Sequence, residues 1–390
     1  MQILYGISSI GLGHGRRSLA IAESLRKSWK DAKIEWVTSE PVISFLEQNG
    51  ERVLPVSRKF QSLSTVMERG VISGQLQDMS RVARASSKIA KENYFLLKEY
   101  LKDYDVLIQD EFSETMFAFM WDSRAQLPPF RVLITDYVQL QSRSSFNLLS
   151  RITIWYTNRM LGKAFDMNSL RIYADDLDSI PDLLRSKIGR TFEIVGPIIP
   201  SPPAESKAKL KEDLIAEFWG NNDVSKKLLV ISVGGTSIGK ILIDFVFANI
   251  DEISRKLECL VLILLGPRVE KSAYNFSGQE ALRFVPFTPD ALRFFKAADC
   301  VVTQAGASTL NEVASLGTPC VVVPIENHFE QEANAERFSE KYGFPRLSYG
   351  ALNATIFVES VEKSLMKAYV PSNPTHGAEK AASLITQLIS

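Results

Sequence analysis

The chain has 390 residues, 45% of them hydrophobic and 23% charged, the make-up of an ordinary folded protein about twice the length of a typical single domain. That composition excludes collagen-like, disordered and multispan membrane classes. Lysine plus arginine and aspartate plus glutamate number 45 each, so net charge gives no reason to expect a nucleic-acid partner.

Short apolar runs alternate with longer amphipathic stretches. In the first half the runs are 3–7, 34–38, 106–109, 132–135 and 193–195, and the spacing predicts helices over 14–29, 75–102 and 146–163. The first run, MQILYGI, has strand length and no basic region ahead of it, so no signal peptide is expected and a cytoplasmic location is. The second half repeats the scheme, with runs at 228–233, 260–264, 298–303 and 320–323 and helical patterns at 238–256, 308–316 and 330–342. Near-continuous apolar strands separated by helices predict α/β architecture: two Rossmann-like, doubly wound parallel sheets. Gly196-Pro-Ile-Ile-Pro-Ser-Pro-Pro203 reads as an extended connector. The expected division is therefore 1–198, a linker at 199–206, and 207–390, with the last helix packing back on the first domain. Two such domains would face each other across a cleft, with ligands at the carboxyl ends of the strands.

The loops after the strands carry the chemistry. The first strand runs into Gly11-Leu12-Gly13-His14-Gly15-Arg16-Arg17. Its glycines let a ligand approach a helix N-terminus, and His14 stands at the strand tip. Read as a degenerate dinucleotide fingerprint, the loop would use Glu35 or Glu40 for a ribose. The run at 106–109 ends in Asp110-Glu111, and Asp110 has two readings: a helix cap, or a carboxylate that orients His14 as a base. After the run at 228–233 comes Gly234-Gly235-Thr236-Ser237-Ile238-Gly239-Lys240-Ile241. It nearly satisfies the P-loop pattern, but Ile241 has no hydroxyl for magnesium, which leaves a glycine turn suited to a diphosphate.

The strongest pattern is 298–335. A strand ends at Thr303-Gln304, and Ala305-Gly306-Ala307-Ser308-Thr309 opens a helix bearing Glu312. Small residues admit phosphate at that helix N-terminus, and a carboxylate one turn in suits vicinal ribose hydroxyls. Glu330-Gln331 then sets a carboxylate and an amide at the start of another helix, a pairing suited to sugar hydroxyls. Cys259, Cys300 and Cys320 are odd in number and sit in apolar runs, so buried free thiols are expected. Asp103-Tyr-Asp105 and Asp176-Leu-Asp178 match a metal-binding triplet, but they read as chance and no metal site is expected.

The run QAGASTLNEVASLGTPCVVVPIENHFEQEANA resembles the donor signature of GT-B nucleotide-sugar glycosyltransferases. The resemblance is strongest to the peptidoglycan N-acetylglucosaminyltransferase and galactolipid synthase group (glycosyltransferase family 28), whose acceptor loop GLGHGRR is also similar to. It implies that Glu312 holds the ribose, Gly306, Ala307, Ser308 and Thr309 with Gly234, Gly235 and Thr236 the diphosphate, and Glu330 and Gln331 the sugar. The backbone at Phe287 would meet the base, and Gly11 and Gly13 would shape the acceptor loop. In retaining members a glutamate lies eight residues before the position of Glu312; here it is Gln304, which favours inversion. The implied activity is metal-independent, inverting hexosyl transfer from a nucleotide sugar, UDP-linked by family habit, with His14 as base and Asp110 its partner and with no cofactor. A nucleotide-sugar 2-epimerase, a dinucleotide-dependent oxidoreductase and a non-catalytic nucleotide-sugar-binding protein are the alternatives. Residues 52–102 carry 10 basic and 4 acidic side chains, and 143–171 carry 5 and 1 among Phe146, Leu148, Leu149, Ile152, Trp155, Met160 and Leu161. The acceptor is a small molecule or a lipid, and these basic amphipathic stretches tilt the reading toward an anionic membrane surface and a lipid or lipid-linked acceptor, the other reading of them being a core-facing helix with a solvated basic rim.

Overall fold

The computed structural model describes residues 1–141, 146–220, 224–235, 237–269, 274, 279–372 and 376–389. The chain forms two compact units: Met1–Gly70 with Gln77–Pro200 and Thr375–Ser390, and Val71–Leu76 with Ser201–Pro374. The chain changes unit between Pro200 and Ser201, and a short segment of the first half also belongs to the second unit. The helix Gly377–Ile389 packs on the helix Gly13–Ser28 of the first unit.

The strands in chain order are β1 (Gln2–Ile7), β2 (Lys33–Val37), β3 (Val71–Ile72), β4 (Gln75–Leu76), β5 (Val106–Asp110), β6 (Phe130–Thr135), β7 (Leu170–Tyr173) and β8 (Glu193–Ile194), then β9 (Lys227–Ser232), β10 (Cys259–Leu264), β11 (Leu282–Val285), β12 (Cys300–Thr303) and β13 (Cys320–Val322). The first unit holds a parallel sheet of order β2-β1-β5-β6-β7-β8 and the second one of order β11-β10-β9-β12-β13. Each sheet is wound in two directions from its first strand. Strand order therefore reverses between β1 and β5 in one unit and between β9 and β12 in the other. Such a reversal opens a crevice at the strands' carboxyl ends, because the following connections leave to opposite faces.

Apolar strands are buried on both faces. On β9, Leu228 and Val230 join one core, whereas Leu229 and Ile231 join the core on the opposite face. The three cysteines are free and buried in these layers, and burial pushes their thiols up, Cys259 and Cys300 to about 12. They are packing residues.

Two elements depart from the sequence reading. The stretch expected to be helical from Gln75 begins as β4, and its helix runs Met79–Leu97, capped by the Asp78 carboxylate on the backbone N–H groups of Ser80 and Arg81. The helical pattern at 238–256 is two helices, Lys240–Ala248 and Ile250–Leu257, which meet at Asn249. In the helix Leu148–Asp166, Met160 and Leu161 are buried, as is Phe146 before it, while Leu148, Leu149, Ile152, Trp155 and Tyr156 are exposed. Arg143 lies outside the described residues.

Candidate active site at two strand-order reversals

His14 opens the helix after β1, and Asp110 ends β5. The two strands are paired, with Ile7 opposite Asp110. Gly11, at φ 83°, makes the turn that brings the loop back over the strand ends. As a result His14 Nδ1 stands 3.0 Å from Asp110 Oδ1. Asp110 is thus a strand-end residue and not a helix cap; the next helix starts at Ser113.

Asp110 is fully buried and densely satisfied. It accepts from Arg17 through Nε (2.8 Å) and Nη2 (2.5 Å) and from the Ser18 hydroxyl at 2.8 Å. Arg17 also donates to Asp136 at 2.6 Å and to Glu111 at 3.3 Å. Glu111, at φ 51°, adopts a backbone conformation that costs a side-chain-bearing residue energy. Its Oε1 accepts from the Thr135 hydroxyl and the Asp136 N–H, and its Oε2 lies 3.7 Å from His14 Nε2.

Arg17 Nη2 is also 2.9 Å from His14 Nδ1. That nitrogen cannot donate to Asp110 and accept from Arg17 at once. We assign Nδ1–H to the carboxylate, the stronger charge-assisted bond, which leaves Nε2 as the acceptor once the ring is neutral. Burial pushes the imidazole down, but Glu111 and Asp110 outweigh it and raise His14 to about 9. Burial and the neighbouring Asp136 raise Glu111 to about 8. Asp110 is also pushed up by burial, yet Arg17 overrides this and holds it well below the ordinary carboxylate range.

His14, Asp110 and Glu111 offer donor atoms within 4.8 Å of one another, a spacing that suits a metal ion. However, the Arg17 guanidinium lies against all three, so the cation's place among them is taken by a side chain. The Asp103 triplet precedes β5 and so lies at the end of the strand opposite the ligand-binding loops, with Asp105 Oδ2 holding the Gln2 N–H. Arg17, Ser18, Glu111 and Asp136 had no role in the sequence reading. Arg17 was legible as a cation three residues after His14 on one helix face, whereas Asp136 is far off in sequence and joins only through the β5–β6 pairing.

In the second unit, Gly234 and Gly235 follow β9, with Gly234 at φ 72°; Thr236 lies outside the described residues. Lys240, the near-match to a P-loop lysine, pairs instead with Asp244 at 2.6 Å. Gly306 caps the helix Ala307–Leu316 after β12, which places Ala307, Ser308 and Thr309 in its first turn. Glu312, one turn in, is only 2% exposed. Phe287 lies in the loop after β11 and is half-buried. Glu330 and Gln331 begin the helix Phe329–Tyr342. The Gln331 side-chain oxygen accepts from the Ile325 N–H at 2.9 Å, and Asn334 donates to Ala305 O at 3.0 Å and Glu330 Oε1 at 3.4 Å. Asn334 thus ties the expected sugar pair to the expected phosphate loop. The oxidoreductase reading loses its ribose carboxylates: Glu35 is bound to Tyr104 and Arg52, and Glu40 to Ser44.

Two parallel-sheet units of this order, each with a loop cluster at its strand-order reversal, are the architecture of GT-B glycosyltransferases. Solved structures agree over the whole chain: a glycosyltransferase of kitacinnamycin (TM-score 0.60, 14% identity, 100% of this chain and 94% of that one) and MurG of Acinetobacter baumannii (0.53, 15%, 99% of each). Residues 229–388 match the glycosyltransferase family 28 C-terminal domain, and the fold is that of GT-B glycosyltransferases. Among curated proteins it is similar to an uncharacterized glycosyltransferase of Methanopyrus kandleri, 26% identical over 58% of this chain and 63% of the relative. It is also similar to the UDP-N-acetylglucosamine–N-acetylmuramyl-(pentapeptide) pyrophosphoryl-undecaprenol N-acetylglucosamine transferase of Clostridium tetani, 29% identical over 39% and 44%. These matches thus span about half to two thirds of the relatives' lengths.

Proposed function

We propose that the chain is an inverting, metal-independent glycosyltransferase. It moves a hexosyl unit from a nucleotide sugar, UDP-linked, to the hydroxyl of a lipid or lipid-linked acceptor. The observation that carries this reading is the His14–Asp110 pair, with Nδ1 held at 3.0 Å and Nε2 left to accept a proton. The acceptor hydroxyl gives its proton to Nε2 as its oxygen bonds to the anomeric carbon and the bond from that carbon to the diphosphate oxygen breaks. Asp110 stabilises the imidazolium that forms, a contribution of about 10²–10⁴-fold for such general-base help. The departing diphosphate takes backbone donors at Gly306–Thr309, which develop no reorganisation cost because the helix already orients them. Gln304 in place of a glutamate supports single displacement with inversion. The Arg17 guanidinium among the carboxylates supports a site that works without a metal.

The lipid acceptor is supported by the helix Leu148–Asp166. Leu148 (72% exposed), Leu149, Ile152, Trp155 (64%) and Tyr156 form one apolar stripe, with Arg151, Arg159 and Lys163 exposed beside it. Arg81, Arg84, Lys88 and Lys91 line the exposed face of the neighbouring Met79–Leu97 helix. Such surfaces lie on anionic lipid, the apolar side chains entering the interface and the cations meeting headgroups. No helix among the described residues is long and apolar enough to cross a membrane, so attachment would be peripheral, at the cytoplasmic face. Incubation with UDP-sugars, with and without a lipid extract, tests the proposal. A glycosylated lipid of inverted anomeric configuration, formed equally in EDTA, is expected. Epimerised nucleotide sugar alone, or turnover that EDTA abolishes and manganese restores, would overturn it.

A further inference from the structure

The hairpin β3–β4 comes from the first half of the sequence yet belongs to the second unit. Its turn, Ser73-Gly74, has φ of 50° and 79°, the two left-handed residues of a tight two-residue hairpin. A Cβ at residue 74 would fall 2.5 Å from the Tyr349 ring, so only glycine lets that ring pack against the turn.

The hairpin is fastened to the turn that follows β13. Gly74 O accepts from the Glu326 N–H and Glu326 O accepts from the Leu76 N–H, each at 2.8 Å. The Gln75 amide donates to Glu326 Oε2 at 2.5 Å. The other carboxylate oxygen accepts from the Ser348 hydroxyl at 2.5 Å and the Gly350 N–H at 3.1 Å. Burial alone would push Glu326 up, but these donors outweigh it and keep the carboxylate ionised. Glu326 is therefore the knot that ties hairpin, turn and the 348–350 loop together.

The same segment leads directly to the donor residues. Ile325 N–H donates to Gln331 Oε1 at 2.9 Å, and Asn327 N–H to Glu332 Oε1 at 3.2 Å. Tyr349, packed on Gly74, takes the Gln304 amide on its hydroxyl at 3.1 Å, one residue ahead of the Ala305–Thr309 loop. Two short paths thus run from the hairpin, one to Glu330-Gln331 and one to Gln304.

We propose that the Val71–Leu76 hairpin, clamped by Glu326, is a positioning element for the sugar end of the donor and sets how strongly the sugar, as distinct from the nucleotide, is held. This rests on the reading of Glu330 and Gln331 as the sugar-binding pair. The hairpin reaches that pair through the turn it fastens.

Calorimetry with UDP and with UDP-N-acetylglucosamine, UDP-glucose and UDP-galactose tests it. The affinity gained by the best-bound sugar over UDP alone is the quantity to follow. Gln75→Ala and Glu326→Ala should shrink that gain by about 3- to 10-fold while UDP affinity stays within about twofold. Glu326→Gln should restore most of it: the new amide oxygen still accepts from Ser348 and Gly350, and its nitrogen can donate to a rotated Gln75. Thermal melting shows whether each variant is folded. Equal losses for UDP and the sugars in a folded variant, no loss at all, or failure of Glu326→Gln to rescue would overturn the proposal. Failure of the underlying reading looks different: the wild-type chain would bind UDP and every UDP-sugar alike, or no nucleotide.

Discussion

His14 is asked to accept a proton yet sits among carboxylates that make it hold one. Raised to about 9, it is mostly imidazolium at neutral pH, so kcat/KM should climb with pH until the ring is neutral. A rate–pH profile that is flat from 6 to 9 would count against a base at this position. Stability should move the other way. His14, raised above its unfolded value near 6.5, contributes stability that is full below that pH and lost as pH rises through about 9. Melting temperature should therefore fall over the range in which activity rises. His14→Ala should lower kcat by about 10²-fold or more and leave nucleotide affinity unchanged. Asp110→Asn should lower kcat too, and also cost roughly 3–5 kcal/mol of stability, because it strips charge from the partner of a buried guanidinium. Glu312→Ala should weaken nucleotide diphosphate binding by about 1.5–3 kcal/mol, the scale of hydrogen bonds to a charged group, as read by calorimetry. Of this constellation the sequence displays what is local: a histidine in a glycine loop and a carboxylate at a strand end. It does not display Asp136 and Ser18, because strand order decides who meets Arg17.

At the scale of elements, the apolar strands were legible because burial on both faces leaves a continuous run with no competing period. The hairpin was not. Its strands are two residues each, too short to show alternation, and they abut a basic helix whose pattern absorbed them. The helix Leu148–Asp166 shows a different limit: its apolar positions fall on both sides, so composition alone could not say which of them face water. Exposure separates them, and Trp155 is the most telling. Trp155→Ser with Leu148→Ser should abolish binding to vesicles rich in anionic lipid, measured by co-sedimentation, and leave melting unchanged because neither side chain is buried. Binding of the unaltered chain should weaken as salt rises, since the exposed lysines and arginines act through screened charge. Equal partitioning onto neutral vesicles would assign the stripe to another partner.

Over the whole molecule, sequence order and structural membership do not coincide. The helix Gly377–Ile389 follows the second unit in the chain but buries Ala381, Ala382 and Ile385 in the first, with Gly377 close against Pro197 O. Removing residues 373–390 should accordingly harm the distant half of the sequence. Burial of one large aliphatic side chain is worth about 1.5–3 kcal/mol, so the first unit's unfolding transition should drop by several degrees. Nucleotide binding by the second should persist. A truncated chain that instead loses nucleotide binding while the first unit melts normally would contradict this division. The same interleaving governs how relatives could be recombined. A chimera cut once at the proline-rich connector would receive a donor half without its own residues 71–76 and with a closing helix shaped for a foreign neighbour. If the second unit binds the donor as proposed, a graft meant to change donor preference should carry the hairpin along and leave the final helix behind.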